Sequence, residues 1–179
     1  MTNYSIMKTE LGDLTLVANE SELIGIYFEK HRHMPKMQKA WTLNPRLPVL
    51  LQAAKQLKEY FAGKRDTFSI PMKFAGTDFQ KKIWKEIAQI PFGKTKSYGD
   101  VAKAIGKPRA VRAVGGACGA NSIPILVPCH RVLAANNQIG GFGSGLGWKC
   151  KLLELEGVDL GVKPQHRSLG KHAVHSGRR

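Results

Sequence analysis

The stretch SYGDVAKAIGKPRAVRAVGGACG, Ser97 to Gly119, decides how the rest of the chain is read. Ser97 followed three residues later by Asp100 resembles a capping box, and Val101, Ala102 and Ile105 fall on the inner side of the short helix it opens. Gly106-Lys107-Pro108 makes a turn. Arg109 to Gly119 then opens a second helix, small and basic. A short helix, a glycine-containing turn and a small-residue helix form a helix-turn-helix pattern. The second helix is almost bare, with Ala113, Gly115, Gly116, Ala117, Gly119 and Ala120 along it. Two adjacent glycines cost about 1 kcal/mol each relative to alanine in a helix. Something must offset that cost. Close approach of another backbone would do so, whether a nucleic acid or a tightly packed neighbouring helix.

Upstream, Thr77 and Gln80 form another capping-box pattern, opening a helix with Phe79, Ile83, Trp84 and Ile87 on its apolar stripe. Pro91-Phe92-Gly93 ends it. Residues 1 to about 75 read as a small α+β unit. Tyr4–Thr9, Leu14–Asn19 and Glu22–Phe28 are short strands, joined by Glu10-Leu11-Gly12-Asp13 and by a turn near Glu20-Ser21. Residues 31–48 have no period and read as a loop. A helix follows with Leu50, Ala54, Leu57 and Phe61 on one stripe and Gly63 as its stop, then a strand at Thr67–Ile70. Nothing in this unit resembles a chemical site, and His31 and His33 read as exposed loop residues rather than metal ligands. The fold class is therefore α+β: a small antiparallel sheet with a helix (1–75), a mostly helical unit carrying the helix-turn-helix (76–160), and a basic tail (161–179) without apolar period.

Charge supports a polyanion partner. Lys and Arg total 28 against 13 acids, a net +15, which favours nucleic acid through counterion release. Residues 163–179 hold five of those bases, so the body is basic without its tail. From Val101 to Leu153 there are seven Lys/Arg and no acid. No apolar run approaches the roughly 18–20 residues of a membrane span, and Met1-Thr2-Asn3-Tyr4-Ser5 lacks the features of a secretory signal. Cys118, Cys129 and Cys150 are an odd number without a CxxC pair, which speaks against a disulfide framework or zinc site and for a reducing compartment. The expectation is a cytoplasmic protein, or a nuclear one in a eukaryote.

The chemistry concentrates in Ile125-Leu126-Val127-Pro128-Cys129-His130-Arg131-Val132. The apolar run reads as a buried strand with a cysteine at its end. A thiol needs activation because only the thiolate attacks. His130 can take its proton, directly or through water, and Arg131 adds positive charge. By residue type alone a buried structural cysteine is the commoner case.

Pro128-Cys129-His130-Arg131-Val132 matches the active-site motif of the O6-alkylguanine-DNA alkyltransferases, and the chain resembles that family well beyond it. Thr95-Lys96-Ser97-Tyr98-Gly99, Arg112-Ala113-Val114-Gly115-Gly116-Ala117, Asn121, and Lys151-Leu152-Leu153-Glu154-Leu155-Glu156-Gly157 fall in the family's order and spacing. Residues 77–157 carry this resemblance; the first 75 match only in length and pattern. It implies a ribonuclease H-like N-terminal domain and a minor-groove helix-turn-helix. It also implies that Cys129 accepts an alkyl group from O6 of guanine in duplex DNA, and leaves O4 of thymine open as a second substrate. In this resemblance His130 acts on the thiol through a water, Glu156 orients the imidazole, and Asn121 tethers the recognition helix to the cysteine segment. Tyr98 lies beside the flipped base as proton donor, and Arg112 fills the space left in the duplex. Gly99, Lys107, Ala113 and Ala135 join Tyr98 and Arg112 at the DNA. Pro124, Val132, Phe142 and Gly143 line the base pocket, with Asn136 to Gly147 as a loop forming one wall. A base inside a stack cannot be reached, so it must be extruded. The thioether product is too stable to reverse, so each molecule acts once and needs no cofactor; a monomer without a bound metal is expected.

Three competing readings exist. A lesion sensor of similar sequence would lack the acceptor, and Cys129 argues against it. A transcriptional regulator would carry base-reading Asn, Gln or Arg on its recognition helix, and Ala113 to Ala120 offers none. A thiol hydrolase is permitted by the Cys, His and Glu set, but a glycine-rich helix does not suggest a peptide groove. Cys118 and Cys150 read as small apolar residues, and Trp148, Leu152 and Leu155 as the buried stripe of the last helix.

Overall fold

A computed structural model describes residues 1–29, 35, 39–141 and 145–161. Strands β1 (Asn3–Met7), β2 (Leu14–Ala18) and β3 (Leu23–Phe28) form an antiparallel meander. A two-residue strand β4 (Thr42–Leu43) joins the far side of β1 in parallel, giving the order β3-β2-β1-β4. It lies inside the stretch expected to be a loop, and two residues between Pro and Lys clusters leave too short a period to read. Thr67–Ile70 is not a strand. The chain only touches β3 beyond it, where Pro71 and Lys73 exchange backbone bonds with Leu23 at 2.8 and 3.0 Å. Pro71 has no N–H for a ladder, so pairing cannot spread.

Helix α1 (Pro48–Phe61) covers the sheet. Proline at its start needs no N–H partner, and Gly63 beyond its end sits at φ +71°, which glycine adopts without strain. Its buried stripe is Val49, Leu50, Ala53, Leu57 and Tyr60, rotated from the expected one: Ala54 and Phe61 are only half-buried. They pack on Leu14, Leu16, Leu23, Ile26 and Phe28 as the first core.

Helices α2 (Asp78–Ile87), α3 (Tyr98–Ala104) and α4 (Val111–Gly119) enclose a second core of Ile83, Trp84, Ile87, Val101, Ala102, Val114 and Ala117. Both expected capping boxes are present, each with reciprocal bonds of 2.9–3.1 Å. The Trp84 indole N–H donates to the Ala117 carbonyl at 2.8 Å and ties α2 to α4. The second helix of the motif starts at Val111 rather than Arg109, because Lys107 to Ala110 closes a turn of its own.

Two links place the cysteine between the cores. Ile123, Ile125 and Leu126 pack into the first core, whereas Val127, Cys129 and Val132 pack into the second. Strand β5 (Lys96–Ser97), just before α3, pairs in parallel with β6 (Val132–Leu133), just after the cysteine. Helix α5 (Leu146–Leu155) closes the structure and brings Glu156 at its C-terminal end to the same place. No helix among the described residues is long and apolar enough to cross a membrane. The tail beyond Gly161 and the histidines at 31 and 33 lie outside the described residues.

Candidate active site

Residues 125–127 do not form the expected strand. Pro124 to Val127 is a tight turn closed by Val127 N–H to the Ile123 carbonyl at 3.0 Å. Ile125 holds φ +73° there, a costly conformation for a β-branched residue that persists because its surroundings fix it. The run is apolar because the turn is buried between two cores, and a short buried run carries no period that separates strand from turn. A 3-10 turn follows at Cys129–Arg131. It directs three consecutive side chains to different partners.

Cys129 is buried. Asn121, just beyond α4, accepts from Ile123 N–H at 2.9 Å and donates through Nδ2 to the Val127 carbonyl (2.9 Å) and to Cys129 Sγ (3.0 Å). The expected tether is thus a tether to the thiol itself. Cys118 on α4 is half-buried and packs against the second core, as a small apolar residue does. The neighbouring Cys118 thiol and burial push the Cys129 thiol up, against the Asn121 amide and the Lys149 charge, which pull it down. Cys129 rests as a thiol.

His130 is fully buried, and its Nε2 lies 2.7 Å from Glu156 Oε1. A carboxylate only accepts, so Nε2 carries the proton and Nδ1 is left as an acceptor. Nδ1 is buried with no partner among the described residues. Burial lowers the imidazole below its usual range, and the Arg131 and Lys149 charges add to this against the pull of Glu156. The resting site therefore pairs a thiol with a neutral imidazole.

Arg131 does not lend its charge to the thiol as expected. Its Nε and NH2 bind Glu156 at 2.8 Å each, and NH1 donates to the Ile90 carbonyl at 2.6 Å. Tyr60, from α1, donates to Glu156 Oε1 at 2.7 Å, so the N-terminal unit, read from sequence as free of chemistry, reaches the site. Burial pushes the Glu156 carboxyl up, but bonds from His130, Arg131 and Tyr60 outweigh it and hold it at about 2.

Tyr98, the first residue of α3, is half-buried and donates to the Gly141 carbonyl at 3.4 Å. Burial, reinforced by Cys118 and Cys129, pushes its phenol up to about 12. Lys149 was missed from sequence. Wholly buried on α5, it donates to the Val132 carbonyl (2.7 Å) and to Gly141 (3.3 Å), and lies 5.9 Å from the Tyr98 ring centroid. Burial lowers its ammonium to about 8. Its signal was a lysine three residues before Leu152 on an apolar stripe. For Tyr60 the signal was a phenol on the same stripe as Leu57, since a buried hydroxyl needs a partner.

The remaining expected residues divide into exposed and buried sets. Lys107, Arg112, Ala113 and Ala135 are exposed, and Gly99 in the first turn of α3 is half-buried. Pro124 and Val132 are buried, and Val132 packs in the same core as Cys129. Phe142 and Gly143 lie outside the described residues, and the expected loop is shorter at both ends, with a 3-10 turn at Ala135–Asn137 and α5 beginning at Leu146. A Cβ built on Gly115, Gly116 or Gly119 would meet nothing within 4 Å. Among the described residues, packing against another helix does not explain those glycines.

Fold and site together define a class: a helix-turn-helix protein built around one buried thiol with a histidine–carboxylate pair. Residues 3–74 match the ribonuclease-like domain, and residues 78–158 the DNA-binding domain, of 6-O-methylguanine DNA methyltransferase. The chain belongs to that family, as the resemblance of its motifs implies. It is 40% identical over 157 residues to the methylated-DNA–protein-cysteine methyltransferase of Methanosarcina barkeri, covering 88% of this chain and 98% of the relative. It is 39% identical to the constitutive enzyme of Bacillus subtilis, covering 91% and 100%. The Mycobacterium tuberculosis protein OGT, solved in complex with DNA, superposes with a TM-score of 0.82 at 41% identity, covering 87% of this chain and 93% of that one.

Proposed function

We propose that this protein repairs alkylated duplex DNA by moving the alkyl group from O6 of guanine to Cys129, once per molecule. The observation that carries the reading is the buried Nδ1 of His130, without a partner among the described residues, on the residue next to a thiol that already accepts a hydrogen bond from Asn121. In the transfer Sγ attacks the alkyl carbon, the S–C bond forms and the C–O bond breaks. The thiol proton passes to His130 Nδ1, through a water, while Nε2 stays on Glu156. The leaving guanine takes its electron pair into the ring and is protonated by Tyr98. A resting thiol and neutral imidazole suit this role: the acceptor stays unreactive toward stray electrophiles and is deprotonated only as the base docks.

DNA lies against Gly99, Lys107, Arg112, Ala113 and Ala135, with Arg112 entering the duplex where the base has left. The open space over Gly115, Gly116 and Gly119 supports close approach of a nucleic-acid backbone. Pro124, Val132 and the segment containing Phe142 and Gly143 bound the base. The functional division falls near residue 75, between the two family matches. Three free thiols suit a reducing compartment, the cytoplasm or a nucleus.

Intact-mass measurement after incubation with O6-methylguanine duplex tests the proposal. The wild type should gain one methyl, located on Cys129 by peptide mapping. Cys129→Ser should bind the same duplex and gain nothing. An unmodified wild type, or a methylated Cys129→Ser, overturns the assignment.

A further inference from the structure

Glu156 accepts five hydrogen bonds, and one of them crosses from the N-terminal unit. Oε1 receives Tyr60 Oη (2.7 Å), His130 Nε2 (2.7 Å) and Arg131 NH2 (2.8 Å). Oε2 receives Arg131 Nε (2.8 Å) and the Gly93 N–H (3.3 Å). The oxygen that holds the imidazole is therefore the one Tyr60 also holds. Tyr60 is 0% exposed and contributed from 96 residues away. Its ring sits among Phe61, Phe68 and Phe92, which fixes the direction of the hydroxyl.

Burial and the Glu156 charge push the Tyr60 phenol far up, so its proton stays in place and it acts only as a donor toward the carboxylate. Each donor on Oε1 draws negative charge away from the others, because a carboxylate oxygen divides its charge among the protons it accepts. The groups facing His130 are Glu156, which favours its protonation, and Arg131 and Lys149, which oppose it. Tyr60 acts on this balance only through Glu156.

We propose that Tyr60 is a positioning residue for alkyl transfer: its hydroxyl fixes Oε1 of Glu156 against His130 and limits how much of the carboxylate charge the imidazole receives. The N-terminal unit thereby keeps His130 neutral and its Nε2 on Glu156, which leaves Nδ1 as the acceptor. This rests on the reading of Cys129 as the acceptor and His130 as its base.

Tyr60→Phe keeps the ring and removes the hydroxyl. With one donor fewer on Oε1, the imidazole receives more negative charge and protonates at higher pH. Since only neutral His130 accepts the thiol proton, the acid limb of the single-turnover rate should move to higher pH, by roughly half to one unit. Titration of the His130 ring by NMR in DNA-free protein should move the same way, independently of activity. Phe68→Leu disturbs the same packing without touching the hydroxyl, and should lower the melting temperature while leaving the limb in place. An unmoved His130 titration in folded Tyr60→Phe, or an equal limb shift in Phe68→Leu, overturns the proposal. If wild-type protein shows no transfer while the His130 titration still moves, the acceptor reading has failed and the Tyr60–Glu156–His130 coupling has not.

Discussion

Helix α4 and the cluster around Glu156 are built in opposite ways. The carboxylate is bonded by five donors, and with Tyr60, His130 and Arg131 it is closed off from solvent. Helix α4 buries only Val114 and Ala117 and leaves open space above three glycines. One region is complete before any partner arrives. The other spends helix stability on a surface whose use lies outside the chain. The contrast separates what holds Cys129 in place from the face proposed to meet DNA. Asn121 stands between them, one residue past the C-cap of α4 and bonded to the thiol.

The largest effect should come from opening the closed region. Glu156→Gln removes the charge that Arg131 and His130 share and leaves a guanidinium buried without a counter-charge. Removing one partner of a buried pair typically costs about 3–5 kcal/mol. Denaturant melts should show a loss of that order, and single-turnover assays at a temperature where the variant is folded should show transfer almost abolished. A loss below about 1 kcal/mol would mean that the cluster is not the closed unit described.

Acid should open the same region more gradually. His130 is held below its usual 6.5 by burial, and Glu156 at about 2 against an ordinary 4.5. Both folded values are depressed, so both stabilities are present above the unfolded values and are lost as pH falls. The His130 contribution should begin to disappear below about 6.5. The Glu156 contribution should follow between about 4.5 and 2, with a total of about 3 kcal/mol. Glu156→Gln should lack the lower step. A melting temperature flat from pH 7 to 4 in the wild type would contradict the placement of a neutral, buried His130.

Much of the open region was legible in the sequence, and little of the closed one. The boxes at Thr77–Gln80 and Ser97–Asp100, the Gly106 turn and the bare helix are local patterns within a few residues of one another. Cys129 and His130 were legible because they are adjacent, and Glu156 through the family's spacing. Tyr60, Gly93 and Arg131 meet at Glu156 from three separate segments, and no periodicity encodes such a meeting. The turn at Ile125 was misread for a related reason: burial from two sides leaves an apolar run without alternation. Lys149 shows the same limit, since a buried lysine held by two carbonyls looks from sequence like a solvated one.

The smallest expected effect tests the open region and has the opposite sign on stability. Gly115→Ala and Gly116→Ala place methyls that meet nothing within 4 Å beyond their own helix among the described residues. Each should stabilise α4 by roughly 0.5–1 kcal/mol, since alanine loses less conformational entropy in a helix than glycine does. In a self-contained protein that gain would be free. If a DNA backbone lies against this face, each methyl must be housed in the complex, where overpacking a close contact typically costs about 1–3 kcal/mol. Burying one methyl returns about 0.8 kcal/mol. The strain should win, because the glycines leave no side chain that can turn aside to make room. Binding to an undamaged duplex should therefore weaken several-fold while the melting temperature rises. Dealkylation of free O6-benzylguanine, which needs no duplex, should be unchanged. Equal or tighter duplex binding by the stabilised double variant would show that the face is open for some other reason, and the contrast between the two regions would lose its explanation.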